Sequence, residues 1–499
     1  MGNQQSKRSV VFQGAAPKGL QAGSLEKQSV VYGHFEGFHE KPAARINYER
    51  IQERLEMPQV EEWKVALLDD PKNRLAISAF AQNDPKTILH SRRAKIDDQH
   101  VFNVQIPLEG APITNQRLSG RCWLFASTNC FRVPLMKKYN LESFELSQAY
   151  LFFWDKLEKA NYFLENIIST ADEDLEGRLI QELLKNPIND GGQWDMIYNL
   201  VEKYGLVPQA IYPDSWTAMN SKAVNDIILS KLRGDSLAIR KMARSPHTTP
   251  EELGRAKANT MRDVHRILTL TLGPPPSTVK EFEWSYRDKY GKAHTLSLTP
   301  IEFAKDIKAD IELMISLVHD PRHEPLSLLT VDRLGNIVGG RNITYANVDM
   351  KTLKSTCASM LKAGLPVFFG CDVDKFSDRP LGVMDLDLID YRLGLDVEAS
   401  MAMSKADRLR VGESLMTHAM VLTGVQVDSK TNEFVRWRVQ NSWGTEKGNE
   451  GWFVMSDAWM DEFVYQAVVD PKFLSKEVRR VMDQEPIVMP VWDPIGALA

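Results

Sequence analysis

The sequence predicts an α+β protein, helical at first and strand-rich towards its end. Apolar residues at helical spacing, with recognisable caps, recur from Ile46 to Glu165 and again after Thr249. From Lys351 onward the pattern turns to short alternating runs rich in Val, Phe and Trp. The chain then closes on a proline-punctuated tail.

Composition fits a soluble protein with a sizeable core. Of 499 residues, 43% are apolar and 25% charged, enough for two to four domains. A net charge of -5 argues against a nucleic-acid binder driven by whole-chain charge. No run of 18 apolar residues predicts a membrane span, and no signal-peptide pattern opens the chain. Four cysteines, Cys122, Cys130, Cys357 and Cys371, are too few for a disulfide scaffold and read as reduced thiols.

The elements follow in order. Residues 1–45 are poor in periodic apolar residues and read as a mobile N-terminal extension. Residues 101–116 look extended, with a turn at Gly110-Ala-Pro112. A helix is predicted from Cys122 to about Tyr139, with Pro134 as a kink or early break. A second helix is predicted from Ser147 to Glu165, with Ser147 as its N-cap. Thr249-Pro-Glu-Glu252 is a capping box with proline at the first helical position. Between Lys222 and Arg266 ten Lys and Arg face five Asp and Glu. That stretch reads either as a solvated helical face or as a patch meeting nucleic acid or an acidic partner. Strands are predicted at Pro366-Val-Phe-Phe-Gly370, at Thr417–Thr423 closed by Gly424, at Phe434–Gln440 and at Gly451–Met455. Pro486, Pro490 and Pro494 forbid a regular helix in the tail, which reads as extended.

The strongest chemical signal is Asn115-Gln-Arg-Leu-Ser-Gly-Arg-Cys-Trp-Leu-Phe-Ala-Ser127. A glycine-containing loop delivers Cys122 to the first turn of a helix. Free N–H groups and the helix dipole there favour a thiolate, the nucleophilic form. Such a nucleophile needs a base and a group that orients the base. Late in the chain, Thr417-His418-Ala419 sets a histidine in an apolar strand, and Asn441-Ser-Trp-Gly444 follows after another strand.

These motifs, in this order, resemble the papain-like cysteine peptidases. The resemblance implies that Cys122 attacks, His418 serves as base and Asn441 orients the imidazole through a hydrogen bond that Trp443 covers. It implies that Gln116, six residues before the cysteine, donates to the oxyanion together with the Cys122 N–H. Asp190-Gly-Gly-Gln-Trp194 is similar to the family's Gly-Gly loop, so Gly191 and Gly192 are expected to bind substrate backbone. A plain turn before a helix is the other reading. Arg121 departs from the pattern, standing where most members carry a small residue. Secreted members carry a cysteine three residues before the nucleophile, paired with one just before the Gly-Gly loop. Ser119 and Asn189 hold those positions here, which points to a cytoplasmic enzyme.

Phe144–Phe163, Asp385-Leu-Asp-Leu388, Glu413-Ser-Leu-Met-Thr-His418 and the terminal Trp492-Asp-Pro-Ile-Gly-Ala-Leu-Ala499 resemble the bleomycin hydrolase family within that group. This implies a two-lobed papain-like core with a large helical insert and an extended C-terminal tail. Its parts are expected at 46–213 (helix-rich lobe with the nucleophile helix), 214–345 (helical insert serving oligomerisation), 346–480 (β-rich lobe with His and Asn) and 481–499 (tail in the active-site cleft). The resemblance further implies a homohexameric ring and aminopeptidase activity, with the Ala499 carboxylate anchoring the free amine of a peptide. Small amides such as bleomycin, and homocysteine thiolactone, are the other implied substrates. No metal or organic cofactor is expected. Nucleic-acid binding through basic residues is a second implied role, and a broad endopeptidase is the competing enzyme reading.

Outside that resemblance, Met1-Gly2-Asn3-Gln4-Gln5-Ser6 matches an N-myristoylation pattern followed by Lys7 and Arg8. An acylated Gly2 would give a membrane-associated fraction. An unmodified tail is the alternative.

Overall fold

The computed structural model describes residues 54–497. The expected mobile extension, Gly2, the helical pattern starting at Ile46 and the terminal Ala499 lie outside or at the margin of them. Contacts divide the chain after Leu75 into two units. In the first, the helix Met57–Asp69 buries none of its residues.

The second unit is built on one large mixed sheet. Its strands run in the order Ile487–Met489, Leu328–Val331, Tyr345–Asn347, Ile315–Val318, Val464–Val469, Val367–Cys371, His418–Val427, Phe434–Gln440, Trp452–Ser456, Val383–Met384 and Ser377–Asp378. Val104–Gln105 adds a short strand beside His418–Val427. Alternate residues of a strand face opposite sides, and both sides are apolar here. Phe368, Ala419, Val421 and Val468 join one core, together with Cys122, Trp123 and Leu124 of the helix Cys122–Tyr139. Val367, Phe369, Met420 and Leu422 join the other, against the helix Met350–Lys362. Each fully buried apolar side chain contributes about 1.5–3 kcal/mol, so this packing fixes the helix Cys122–Tyr139 firmly against the central strands.

The predicted caps form. The Ser147 hydroxyl accepts from the Tyr150 N–H, starting the helix Gln148–Ser169. Thr249 and Glu252 make both hydrogen bonds of their capping box. The helix from Cys122 reaches Tyr139 as expected and runs through Pro134 without a break, with Phe131, Val133, Leu135 and Met136 around the proline all buried. Two local expectations are corrected. The second helix runs on to Ser169, beyond the expected end at Glu165, and its added turn buries Ile167 in the core. Gly424 does not close its strand; pairing resumes beyond a register shift there and continues to Val427.

Residues 214–345 are helical only in part. The long helices Lys222–Ala243 and Pro250–Leu272 are followed by a hairpin of Phe282–Arg287 with Ala293–Leu298. Ile315–Val318, Leu328–Val331 and Tyr345–Asn347 then join the main sheet. Ile315-Ser-Leu-Val318 is buried throughout, so it lacks the alternation that marks a half-buried strand.

The tail is extended as its prolines require, with one short helical turn at Pro494–Gly496. Ile487–Met489 pairs in parallel with Leu328–Val331. Asp493 takes two hydrogen bonds from the Arg322 guanidinium, at 2.7 and 3.2 Å, and Ile495 is buried.

Candidate active site

The spacing of His418 and Asn441 is the length of a hairpin. Val421 stands opposite Gln440 across the antiparallel strands. Carried past the strand end, that register brings Asn441, Ser442 and Trp443 alongside His418. The His418 Nε2 lies 2.9 Å from Asn441 Oδ1, and the His418 and Trp443 ring centres are 4.7 Å apart. Asn441 Oδ1 also accepts from the Ser442 N–H at 2.7 Å, which fixes which end of the amide faces the ring. An amide oxygen only accepts, so the neutral ring carries its proton on Nε2 and keeps a lone pair on Nδ1.

The same loop brings in Gln116. The Gln116 N–H donates to Ser442 O at 2.8 Å, and the Gly444 N–H donates to Thr114 O at 3.0 Å. The Ser442 hydroxyl donates to Gln116 Oε1 at 2.8 Å. Gln116 Nε2 spends one hydrogen on Ser119 O, 2.7 Å away, and has a second to offer. Gln116, His418 and Trp443 line a groove of about 1190 Å³, with Gly120, Asn189 and Arg379 among the other walls.

Cys122 is the first residue of its helix and is 2% exposed. Burial pushes its thiol up to about 11, although backbone N–H groups of Ala419, Trp123 and Cys122 itself pull the other way. Burial likewise pushes His418 down to about 4, against the hydrogen bond to Asn441. Burial thus disfavours an isolated thiolate at Cys122 and an isolated imidazolium at His418.

Arg121, the departure from the family pattern, is fully buried. Its guanidinium grips Asp214 at 2.7 and 3.3 Å, donates to Ser119 Oγ at 2.9 Å, and lies over the Phe125 and Phe152 rings. It braces the loop that leads into Cys122.

Gly191 and Gly192 are not among the residues that line this groove. The Gly191 carbonyl accepts from Lys159 Nζ at 2.6 Å, and Gly191 lines an adjoining cavity of about 500 Å³ with Gly496 and Ala497, which shares Asn186 and Asn189 with the groove. Gly192 is buried against the Trp123 indole. Gln193 Nε2 donates to Ala497 O at 2.7 Å, tying the tail to this loop. Ala499 lies outside the described residues. Sequence reasoning missed Lys156, Lys159 and Asp214. Two lysines three apart in the very apolar Phe144–Phe163 run were the available signal for the first pair. No cluster of metal-ligating residues occurs among the described residues, and no helix among them is long and apolar enough to cross a membrane.

Comparison with known proteins agrees with this architecture. The Peptidase C1-like family model matches residues 54–496. Bleomycin hydrolase from Gallus gallus is 44% identical over 439 residues, covering 86% of this chain and 95% of that protein. Bleomycin hydrolase from Homo sapiens is 44% identical over 442 residues, covering 87% and 96%. A Saccharomyces cerevisiae protein named cysteine proteinase 1, mitochondrial, is 40% identical over 464 residues, covering 92% and 95%. The crystal structure of PepW from Lactobacillus rhamnosis superposes with a TM-score of 0.85 at 38% identity, covering 89% of this chain and 99% of that one. With its papain-like α+β fold and these relatives, the chain belongs to the Peptidase C1-like family, as a cysteine peptidase of the bleomycin hydrolase type.

Proposed function

We propose that this peptidase is a cytoplasmic aminopeptidase working through Cys122, His418 and Asn441. The observation that carries the reading is the 2.9 Å His418–Asn441 contact, which leaves Nδ1 free to serve a buried thiol at a helix start. His418 takes the Cys122 proton as sulfur attacks the first peptide carbonyl, so the two charges arise together. The second Gln116 N–H and the Cys122 N–H hold the oxyanion. His418 then protonates the leaving amine, a thioester remains, and water releases the acyl group.

The restriction to free N-termini rests on the tail. Strand pairing, the Arg322–Asp493 pair and the Gln193–Ala497 hydrogen bond lead the tail, as far as Ala497, to the Gly-Gly loop. A carboxylate delivered there would pair with a substrate ammonium and obstruct longer chains. Relatives named bleomycin hydrolase point to small amides as further substrates. Hydrolysis of matched fluorogenic substrates tests the reading. An aminoacyl amide should be cleaved and its N-blocked counterpart spared; equal rates would contradict the aminopeptidase assignment.

A further inference from the structure

We infer that the Lys156–Asp190 ion pair is a non-covalent staple that positions the nucleophile loop against the Gly-Gly loop, making Asp190 a positioning residue for catalysis. The inference rests on the proposed roles of Cys122 and the Gly-Gly loop.

The Asp190 carboxylate joins three separate segments. Its Oδ2 accepts the Gly120 N–H at 2.9 Å, two residues before Cys122. Its Oδ1 meets Lys156 Nζ at 2.6 Å and Asn225 Nδ2 at 2.7 Å. The Ser221 hydroxyl donates to Oδ2 as well. The Asp190 backbone carbonyl accepts from Trp123 Nε1 at 2.6 Å, one residue after Cys122. The nucleophile is thus gripped on both sides by one residue that itself begins the Gly-Gly loop. Gly120 approaches so closely that a Cβ there would sit 2.8 Å from the Asp190 Cβ.

The other half of the staple lies in the helix Gln148–Ser169. Lys156 is fully buried and also donates to Ile188 O. Lys159, one turn on, donates to Asn189 O at 3.0 Å and Gly191 O at 2.6 Å. Two buried ammonium groups therefore hold the carbonyls of residues 188, 189 and 191. Asp155 balances Lys159 at 2.8 Å. Burial opposes the Asp190 charge, but Lys156 and the hydrogen bonds from Ser221 and Gly120 outweigh it, holding the carboxyl well below its usual range. The network joins the two loops that a disulfide joins in the secreted members. Here Ser119 and Asn189 occupy the cysteine positions, and all four cysteines are free.

The geometry makes the staple separable from the nucleophile. Asp190 does not assist the thiolate; its negative charge pushes the Cys122 thiol up. Neutralising it should leave the sulfur at least as reactive as before and lose only its alignment with bound substrate. Misplacement of about 1 Å can cost on the order of 10²-fold in rate.

The test uses the full-length enzyme with Asp190→Asn, and with Lys156→Met/Asp190→Asn, which leaves no charge buried alone. Three quantities are read: melting temperature, the rate of Cys122 alkylation by iodoacetamide at pH 7, and kcat/KM on an aminoacyl fluorogenic substrate. We expect kcat/KM to fall about 10²-fold in both variants, with alkylation unchanged or faster, and the double variant to recover melting temperature without recovering turnover. Turnover that returns with stability, or alkylation that falls in step with kcat/KM, overturns the inference. So does wild-type turnover in Asp190→Asn. Failure of the underlying reading is distinguishable, because there Cys122→Ala itself would remain active.

Discussion

Gly192 lies against the Trp123 indole so closely that a Cβ at position 192 would sit 2.5 Å from two ring carbons. Trp123 is fully buried and anchored through its Nε1 to Asp190, so the ring has little room to give. Glycine is expected at this position from the need to admit a substrate backbone. The structure adds a packing reason, because Trp123, the neighbour of Cys122, presses on the loop.

Gly192→Ala should therefore destabilise the protein by about 1–3 kcal/mol, as overpacking does. It should also lower kcat/KM, because the strain is relieved by moving either the loop or the residue beside Cys122. Thermal melting and steady-state kinetics on the purified variant check both. A neutral effect on each would show that the ring can yield.

His418 gives stability a defined pH dependence. Its folded pKa of about 4 lies below the ordinary 6.5, so between those values the unfolded chain binds a proton that the folded chain refuses. The contribution is fully present above pH 6.5 and is lost as pH falls through about 4. From pH 7 to pH 5 the loss is about 2 kcal/mol by linkage. His418→Gln should lose correspondingly less over that window, measured as the difference in denaturation midpoints between the two proteins.

The strings that mark this site, Asn115–Ser127, Thr417–Ala419 and Asn441–Gly444, are legible in the sequence through their resemblance to a known family. The hairpin that sets Asn441 beside the imidazole is seen only in the structure. Lys156 and Lys159 are illegible for a physical reason. Lysines at helical spacing are ordinarily solvent-facing, and only the fold reveals carbonyls and carboxylates waiting for both. Ile315–Val318 is hidden for another: a strand buried on both faces shows no alternation. The tail is readable as extended from its prolines, but its partners, Arg322 and Gln193, lie far away in sequence.

That tail carries the next prediction. Asp493 holds Arg322 through two hydrogen bonds with both side chains largely buried. Asp493→Ala leaves the guanidinium with Asp320 alone and frees the segment that leads to Ala497. Cleavage of N-blocked substrates should rise relative to aminoacyl substrates, in the same direction as deletion of residues 497–499. An unchanged ratio in both variants would remove the tail from the specificity argument.

The most direct measurement is kcat/KM of Cys122→Ala beside wild type on an aminoacyl fluorogenic substrate, with melting temperature as the control for folding. Removing the nucleophile of a triad costs several orders of magnitude, on the order of 10⁴ or more. The account predicts a loss of that size with the fold retained. A folded variant keeping more than roughly a tenth of wild-type activity, far above any such loss, would contradict it.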